Sequence, residues 1–165
     1  METRTKTPNP DVITTTITAM AYGGKGIARL DGKVLFVEGA IPGDVVDARI
    51  TDDKDRYADG ELLCLREPSP LRGPSPCPVS DECGGCQWQG VGYDQQLAWK
   101  RGFVESALQR IGKLPGDTAP ALEMLASPVT QAYRNRILIR LHVQADGSVM
   151  LGYFRRGTHE LVPIQ

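Results

Sequence analysis

From Val12 onward the chain alternates short β-branched or apolar runs with turn residues. Val12-Ile-Thr-Thr-Thr-Ile-Thr18 predicts a strand. Ala21–Gly26 is a Gly-rich turn; it lacks the G-x-x-x-x-G-K-[ST] pattern of a phosphate loop, and no helical pattern follows it. Ile27–Leu30 and Val34–Val37 predict two strands joined at Asp31-Gly32, a strong hairpin signal because both residues tolerate positive φ. Gly39–Gly43 turns the chain, Val45–Ile50 predicts a further strand, Thr51–Arg56 a charged loop, and Tyr57–Leu65 a fifth strand. Five short strands this close together can leave their edges open or close into a small barrel, of which the OB type is the common five-stranded form.

Prolines at 68, 70, 74, 76 and 78 then remove backbone donors and fix φ, so neither helix nor interior strand is expected, and residues 68–76 read as a linker. Tyr93–Lys113 is helical in pattern: Leu97, Arg101, Val104, Leu108 and Ile111 recur every three or four residues, with Asp94 as candidate cap and Gly112 as candidate stop. Trp99 and Phe103 widen the face expected to be buried. A loop follows, with a short strand at Leu122–Leu125. Arg136–Val143 alternates, placing Ile137, Ile139, Leu141 and Val143 on one side and Arg136, Leu138, Arg140 and His142 on the other. Asp146-Gly147 predicts a hairpin to Val149–Phe154, and a third strand follows Gly157. The fold class is therefore mainly β plus α/β: residues 1–11 a disordered lead-in, 12–67 a small five-stranded β unit, open-edged or closed into a barrel, 68–76 a linker, and 77–165 a small α/β domain.

Composition changes this picture little. The 165 residues carry a net charge of −1, but residues 1–99 hold −5 and residues 100–165 hold +4, so the second part can present a basic face to an anionic partner. No apolar run is long enough to span a membrane, and Met1–Pro10 lacks the apolar core of a signal peptide. A cytoplasmic protein with no membrane partner is expected, and a monomer.

The candidate chemistry is concentrated in Cys77-Pro-Val-Ser-Asp-Glu-Cys83-Gly-Gly-Cys86, three thiols spaced C-x5-C-x2-C. Cys64, between Leu63 and Leu65, reads as a small buried thiol. A disulfide suits an oxidising compartment, which nothing in the chain signals. A redox-active Cys83-x-x-Cys86 pair is expected at the strand-to-helix turn of a βαβ unit rather than after a proline-rich stretch. A metal remains, either zinc, which commonly pairs two C-x2-C units, or an iron–sulfur cluster, which commonly takes three clustered thiolates and one remote one. The run without a nearby fourth cysteine suits the cluster better.

Ala21-Tyr-Gly-Gly-Lys-Gly-Ile-Ala-Arg29, Val34-Leu-Phe-Val-Glu-Gly-Ala-Ile-Pro-Gly-Asp44 and Tyr57-Ala-Asp-Gly-Glu-Leu62, in this order, resemble a TRAM domain, a small OB-like RNA-binding barrel. With Cys77–Gln89, Tyr93–Lys100, Tyr133-Arg-Asn-Arg-Ile137 and Leu151–Gly157, the chain resembles the N-terminal part of a 23S rRNA uracil-C5 methyltransferase that uses S-adenosylmethionine (SAM). The resemblance implies a 4Fe-4S cluster on Cys77, Cys83 and Cys86, with the family's fourth cysteine due just after His159–Ile164. It also implies a parent enzyme whose SAM-binding, catalytic domain is missing from this sequence, so the chain is expected to be a fragment that is inactive alone. No catalytic residue and no SAM-binding residue is assigned here.

RNA, most of all 23S rRNA, is the partner so implied. Single-stranded RNA is held by aromatic and Arg planes and by Lys and Arg on phosphates. Tyr133, Arg134, Arg136, Arg155 and Arg156 are the expected contacts in the second domain, the first two preceding one predicted strand and the last two following its hairpin partner. Lys25 and Arg56, with Tyr22 and Tyr57, are the candidates in the barrel. The alternative is a standalone RNA-binding module stapled by zinc or an iron–sulfur cluster.

Overall fold

The computed structural model describes residues 11–115 and 122–164. It divides into two compact units, residues 1–72 and 73–165.

The first unit is a six-stranded mixed sheet in the order β1-β5-β6-β4-β3-β2. The strands are β1 (Val12–Thr16), β2 (Ala19–Met20), β3 (Gly26–Leu30), β4 (Lys33–Glu38), β5 (Val45–Asp53) and β6 (Tyr57–Glu67). The strands at its two ends, β1 and β2, are consecutive pieces of one run. β1 pairs with β5 and β2 with β3, so one continuous run, the predicted strand Val12–Thr18 and the two residues after it, serves both edges and the sheet closes on itself. At the break Ile17 turns inward, and its N–H reaches Asp44 O at 2.8 Å. Closure leaves no free edge there, the usual way a small β-unit avoids strand addition. Five strands were expected and six form, the extra one, β2, lying just past Thr18, where the first predicted strand ends.

The alternation of β3, β4 and β6 builds the core. Ala28, Leu35, Val37 and Ala58 point inward and are fully buried with Val46 and Ala48 of β5. Asp31 (φ 47°) and Gly32 (φ 82°) make the expected tight β3–β4 hairpin. β5 and β6 run further than expected, absorbing Thr51–Asp53 and Arg66–Glu67. Beyond Glu61, β6 has only β5 as a neighbour, so Leu63, Cys64 and Leu65 are exposed and Cys64 is not the buried thiol expected. Asp11, assigned to the lead-in, accepts the Ile50 N–H at 2.8 Å; residues 1–10 lie outside the described residues.

The first proline-rich residues are docked rather than free. Asp44, fully buried, accepts N–H from Ile41 (2.7 Å) and Ser69 (2.8 Å) and a two-pronged contact from Arg72 (2.8 and 2.6 Å). Ser69 Oγ donates to Pro42 O at 2.7 Å, and Arg72 also reaches Gly39 O at 2.8 Å. The 68–76 linker is thus tied to the first unit up to Arg72.

Among the described residues the second unit holds one helix, α1 (Tyr93–Arg110), and an antiparallel sheet β7-β8-β9 (Arg140–Val143, Val149–Phe154, Leu161–Pro163). The helix follows the prediction closely but starts from Gly92 without a side-chain cap, Asp94 lying in its first turn. No residue of α1 is fully buried, and Val104 and Ile111 of the expected stripe are exposed. Trp99 and Phe103 do pack, against Trp88. Leu122–Leu125 forms no strand. The strand expected over Arg136–Val143 is paired only from Arg140, leaving Ile137 and Leu138 exposed. Gly152 is required in β8, since a Cβ there would lie 1.9 Å from Val162 O. No helix among the described residues is long and apolar enough to cross a membrane.

Burial raises the Asp44 pKa, but the hydrogen bonds from Arg72, Ile41 and Ser69 outweigh it and hold the carboxyl below its ordinary 3.8. Its stabilising contribution is therefore complete above the unfolded-state value and lost as pH falls through the depressed folded-state value. Asp44→Asn is expected to cost about 3 kcal/mol at pH 7, because Arg72 loses its buried partner. It should also flatten the acid limb of urea-unfolding stability below about pH 4. An unchanged denaturation midpoint at both pH 7 and pH 3 would refute this role.

Candidate thiol site and RNA-contact residues

The cysteine segment is shaped by its own turns and by the end of β8. Cys83 N–H reaches back to Val79 O at 2.8 Å, and Cys77 N–H to Ser75 Oγ at 3.2 Å. Cys83 then forms an antiparallel bridge with Arg155. Gly84 N–H donates to Phe154 O at 2.9 Å, and Arg156 N–H to Glu82 O at 3.3 Å. The approach demands glycine at 84, where a Cβ would stand 2.9 Å from Phe154 O; at 85 a Cβ would make only ordinary contact with Cys83 Sγ and the Tyr153 ring. Gly84 thus seats the segment on β8.

Two arginines lock the seat. Arg156 reaches Cys86 O at 2.9 Å and Cys83 O at 3.4 Å, holding the carbonyls of two cysteines from one guanidinium. Arg155 pairs with Glu82 (2.7 Å) and Glu160 (3.0 Å), and these hydrogen bonds, Glu160 first, raise its pKa further. Behind the segment, Gln96 of α1 donates to Trp88 O (3.1 Å) and Val91 O (2.9 Å), and Trp88 meets Trp99 edge-on at 5.4 Å. The buried Trp88 indole N–H finds no hydrogen-bond partner among the described residues.

Cys83 is buried, Cys77 half-buried and Cys86 exposed. Cys83 Sγ accepts the Gly85 N–H and Cys86 Sγ accepts Gln89 Nε2, each at 3.3 Å. Sulfurs that receive N–H donors suit thiolate ligation, and a soft three-thiolate set suits iron–sulfur or zinc. The donor chemistry therefore fits. The arrangement is open, since among the described residues no three His, Cys, Asp or Glu side chains converge closely enough to hold a metal ion.

The expected RNA contacts are not gathered into one edge. Tyr133 and Arg134 stack on each other at 5.8 Å in an irregular exposed segment, and β7 begins only at Arg140, so they do not abut a strand. Arg136 is exposed in the same segment. Arg155 and Arg156 are committed to the cysteine segment. In the barrel Lys25 pairs with Asp59 at 2.5 Å, while Arg56 and Tyr57 sit at the exposed β5–β6 tip, where Lys54 pairs with Asp52 and Lys33 with Asp53. Tyr57 also packs edge-on against Phe36 at 6.0 Å, an aromatic pair that the sequence reading passed over. The alternation of β4 is its signal: Phe36 lies on the face opposite Leu35 and Val37.

Residues 11–63 match the TRAM domain family. A protein named as an RNA methyltransferase from Gloeobacter violaceus is 42% identical over 154 residues, covering 92% of this chain and 33% of the relative. Another, from Synechocystis, is 40% identical over 153 residues, covering 93% and 33%. The chain thus spans about a third of the length of these relatives. A solution structure of a conserved protein from Methanococcus maripaludis is 37% identical, covering 34% of this chain and 81% of that one, with a TM-score of 0.32.

If Arg156 fixes the cysteine segment, Arg156→Ala should open it. Hydrogen bonds from a charged donor are worth roughly 1.5 kcal/mol or more each, less where solvent competes, so alkylation of Cys83 should accelerate about tenfold. Mass-spectrometric alkylation kinetics, with the exposed Cys64 as internal reference, measure it; equal Cys83 rates in the two proteins would exclude the lock.

Proposed function

We propose that this chain, a TRAM-bearing relative of RNA methyltransferases, is the RNA-recognising part of a SAM-dependent enzyme that methylates C5 of a uracil in ribosomal RNA. The observation that carries the reading is the TRAM match over residues 11–63, on a closed five-strand-type barrel, in a chain whose relatives are named as RNA methyltransferases. SAM would supply the methyl group. The chain spans about a third of the length of these relatives, and methyl transfer is assigned to the part of them that it does not span.

Cys77, Cys83 and Cys86 would hold a 4Fe-4S cluster as three of its ligands, the fourth unassigned. The support is chemical and mechanical. The sulfurs are soft donors with N–H partners, and the second unit has little apolar core: Cys83, Val91 and Val162 are its buried hydrophobic residues among those described. A small unit with so thin a core gains most from a metal staple. The cluster's part is structural, pinning the cysteine segment to the β8–β9 hairpin that Arg155 and Arg156 already join to it. RNA binding is assigned to Tyr133, Arg134 and Arg136, with Lys25 and Arg56 on the barrel. Arg155 and Arg156 contribute through the segment they hold.

Anaerobic purification should yield a brown protein with about four irons and matching sulfide per chain. Binding of a single-stranded fragment of 23S rRNA should weaken steeply with salt, and Arg134→Ala with Arg136→Ala should reduce the salt slope by about two. Stoichiometric zinc without iron would overturn the cluster assignment, and salt-independent or absent RNA binding would overturn the RNA reading.

A further inference from the structure

We propose that the face of the second sheet carrying Arg140, His142 and Phe154 is a binding cleft for one nucleotide of single-stranded RNA; this rests on the RNA reading above and gives it a place.

The register of β7 against β8 creates the face. Arg140 lies opposite Gly152 and His142 opposite Met150, while Leu141 and Val143 lie opposite Leu151 and Val149. Directly paired residues share a face, so the sheet has a cationic, aromatic side and an aliphatic side. On the first, Phe154 continues from Gly152, and Leu161 of β9 pairs beside it. Arg140, Leu141, His142, Phe154, His159 and Leu161 line a cavity of about 380 Å³. That is at the small end of ligand sites, which run to roughly 1,000 Å³, and suits one nucleotide rather than a longer stretch.

The side chains are arranged rather than merely nearby. The Arg140 guanidinium lies over the Phe154 ring, 5.3 Å from its centroid, and the His159 ring meets Phe154 edge-on at 5.4 Å. The Arg140 guanidinium thus rests over Phe154, which His159 braces from its edge, and Arg140 itself is exposed. An unstacked base can lie on an Arg plane or an aromatic ring, with phosphate or base edges met by donors around it. The imidazoles of His142 and His159 supply such donors at the rim. Among the described residues no carboxylate lines the cavity, and the nearest in sequence, Glu160, is paired with Arg155. A duplex hides its base faces in the stack and would not enter.

The test uses the full chain, purified anaerobically, with a fluorescein-labelled oligouridine hexamer, an RNA duplex of equal length, and inorganic phosphate as competitor. Arg140→Ala and Phe154→Leu are expected to weaken hexamer binding about tenfold each, the usual effect of deleting one stacking surface. Arg140→Lys should lose nearly as much while keeping the wild-type salt slope, because it retains the charge and loses the plane. Arg140 is exposed, so its variants report on binding even if Phe154→Leu disturbs folding. Hexamer binding unaltered by Arg140→Lys would overturn the cleft, as would equal affinity for the duplex or full displacement by millimolar phosphate. If the wild-type chain bound no RNA, the RNA reading would fall and the cleft with it; RNA binding that ignores every variant would sink the cleft alone.

Discussion

The first unit depends on the buried carboxylate of Asp44. An isolated charge in the position of Asp44 would neutralise or expel itself, since ions in apolar surroundings cost many kcal/mol. Asp44 stays ionised because four N–H bonds converge on it, two from backbone and two from Arg72. Each donor belongs to a different requirement of the fold. Ile41 N–H fixes the β4–β5 turn. Ser69 and Arg72 bring the chain leaving β6 back onto the barrel. Asp44's own carbonyl takes the N–H of Ile17, where the first strand bends from one sheet edge to the other. Closure of the barrel, the shape of its turn and the exit of the chain are therefore solved by one residue.

The second unit is built on the opposite principle. With few buried apolar side chains, it is held by directional contacts: a bridge between Cys83 and Arg155, two guanidiniums on the cysteine segment, and Gln96 tying the Trp88 turn to α1. Such contacts specify geometry well but add little net stability each when solvent reaches them. A three-thiol segment at that place is coherent with this, because a metal would add the energy that packing does not. The exposed aliphatic side of the β7–β8 hairpin belongs to the same picture: Leu141, Val143, Val149 and Leu151 are 63%, 58%, 56% and 45% exposed, an alternation written for a covered face.

The barrel was legible because local signals and tertiary structure agree there. Asp31-Gly32 allows one turn geometry, and the alternation of β3, β4 and β6 names the core residues. What the pattern could not convey was that the run would bend at Ile17-Thr18 and pair again beyond it as β2, since nothing in Ile17-Thr18 distinguishes a bend from a straight run. In the second unit the signals were weaker guides. Periodicity marked α1 correctly but not its burial, because a stripe predicts a face and not what covers it. Arg155 and Arg156 looked like free cations, since charge and position after a strand say nothing about acids and carbonyls 70 residues away. The carbonyls of Cys83 and Cys86 and the carboxylate of Glu82 are such partners.

Arg140 and Phe154 show how far register can carry a reading that composition cannot. They are fourteen residues apart, and nothing in the sequence alone pairs them. Once Asp146-Gly147 is accepted as the turn, Val143 must face Val149, and each step along one strand is matched by a step back along the other. Arg140 then falls opposite Gly152, which offers no side chain to cover it. Phe154, two residues further along the same face, is its diagonal neighbour, a separation that long and aromatic side chains can bridge. The missing side chain at 152 is itself imposed by the close approach of Val162 O. The requirement that joins β8 to β9 therefore also clears the space beside Arg140, so the packing of the sheet and the opening of the cleft have the same cause.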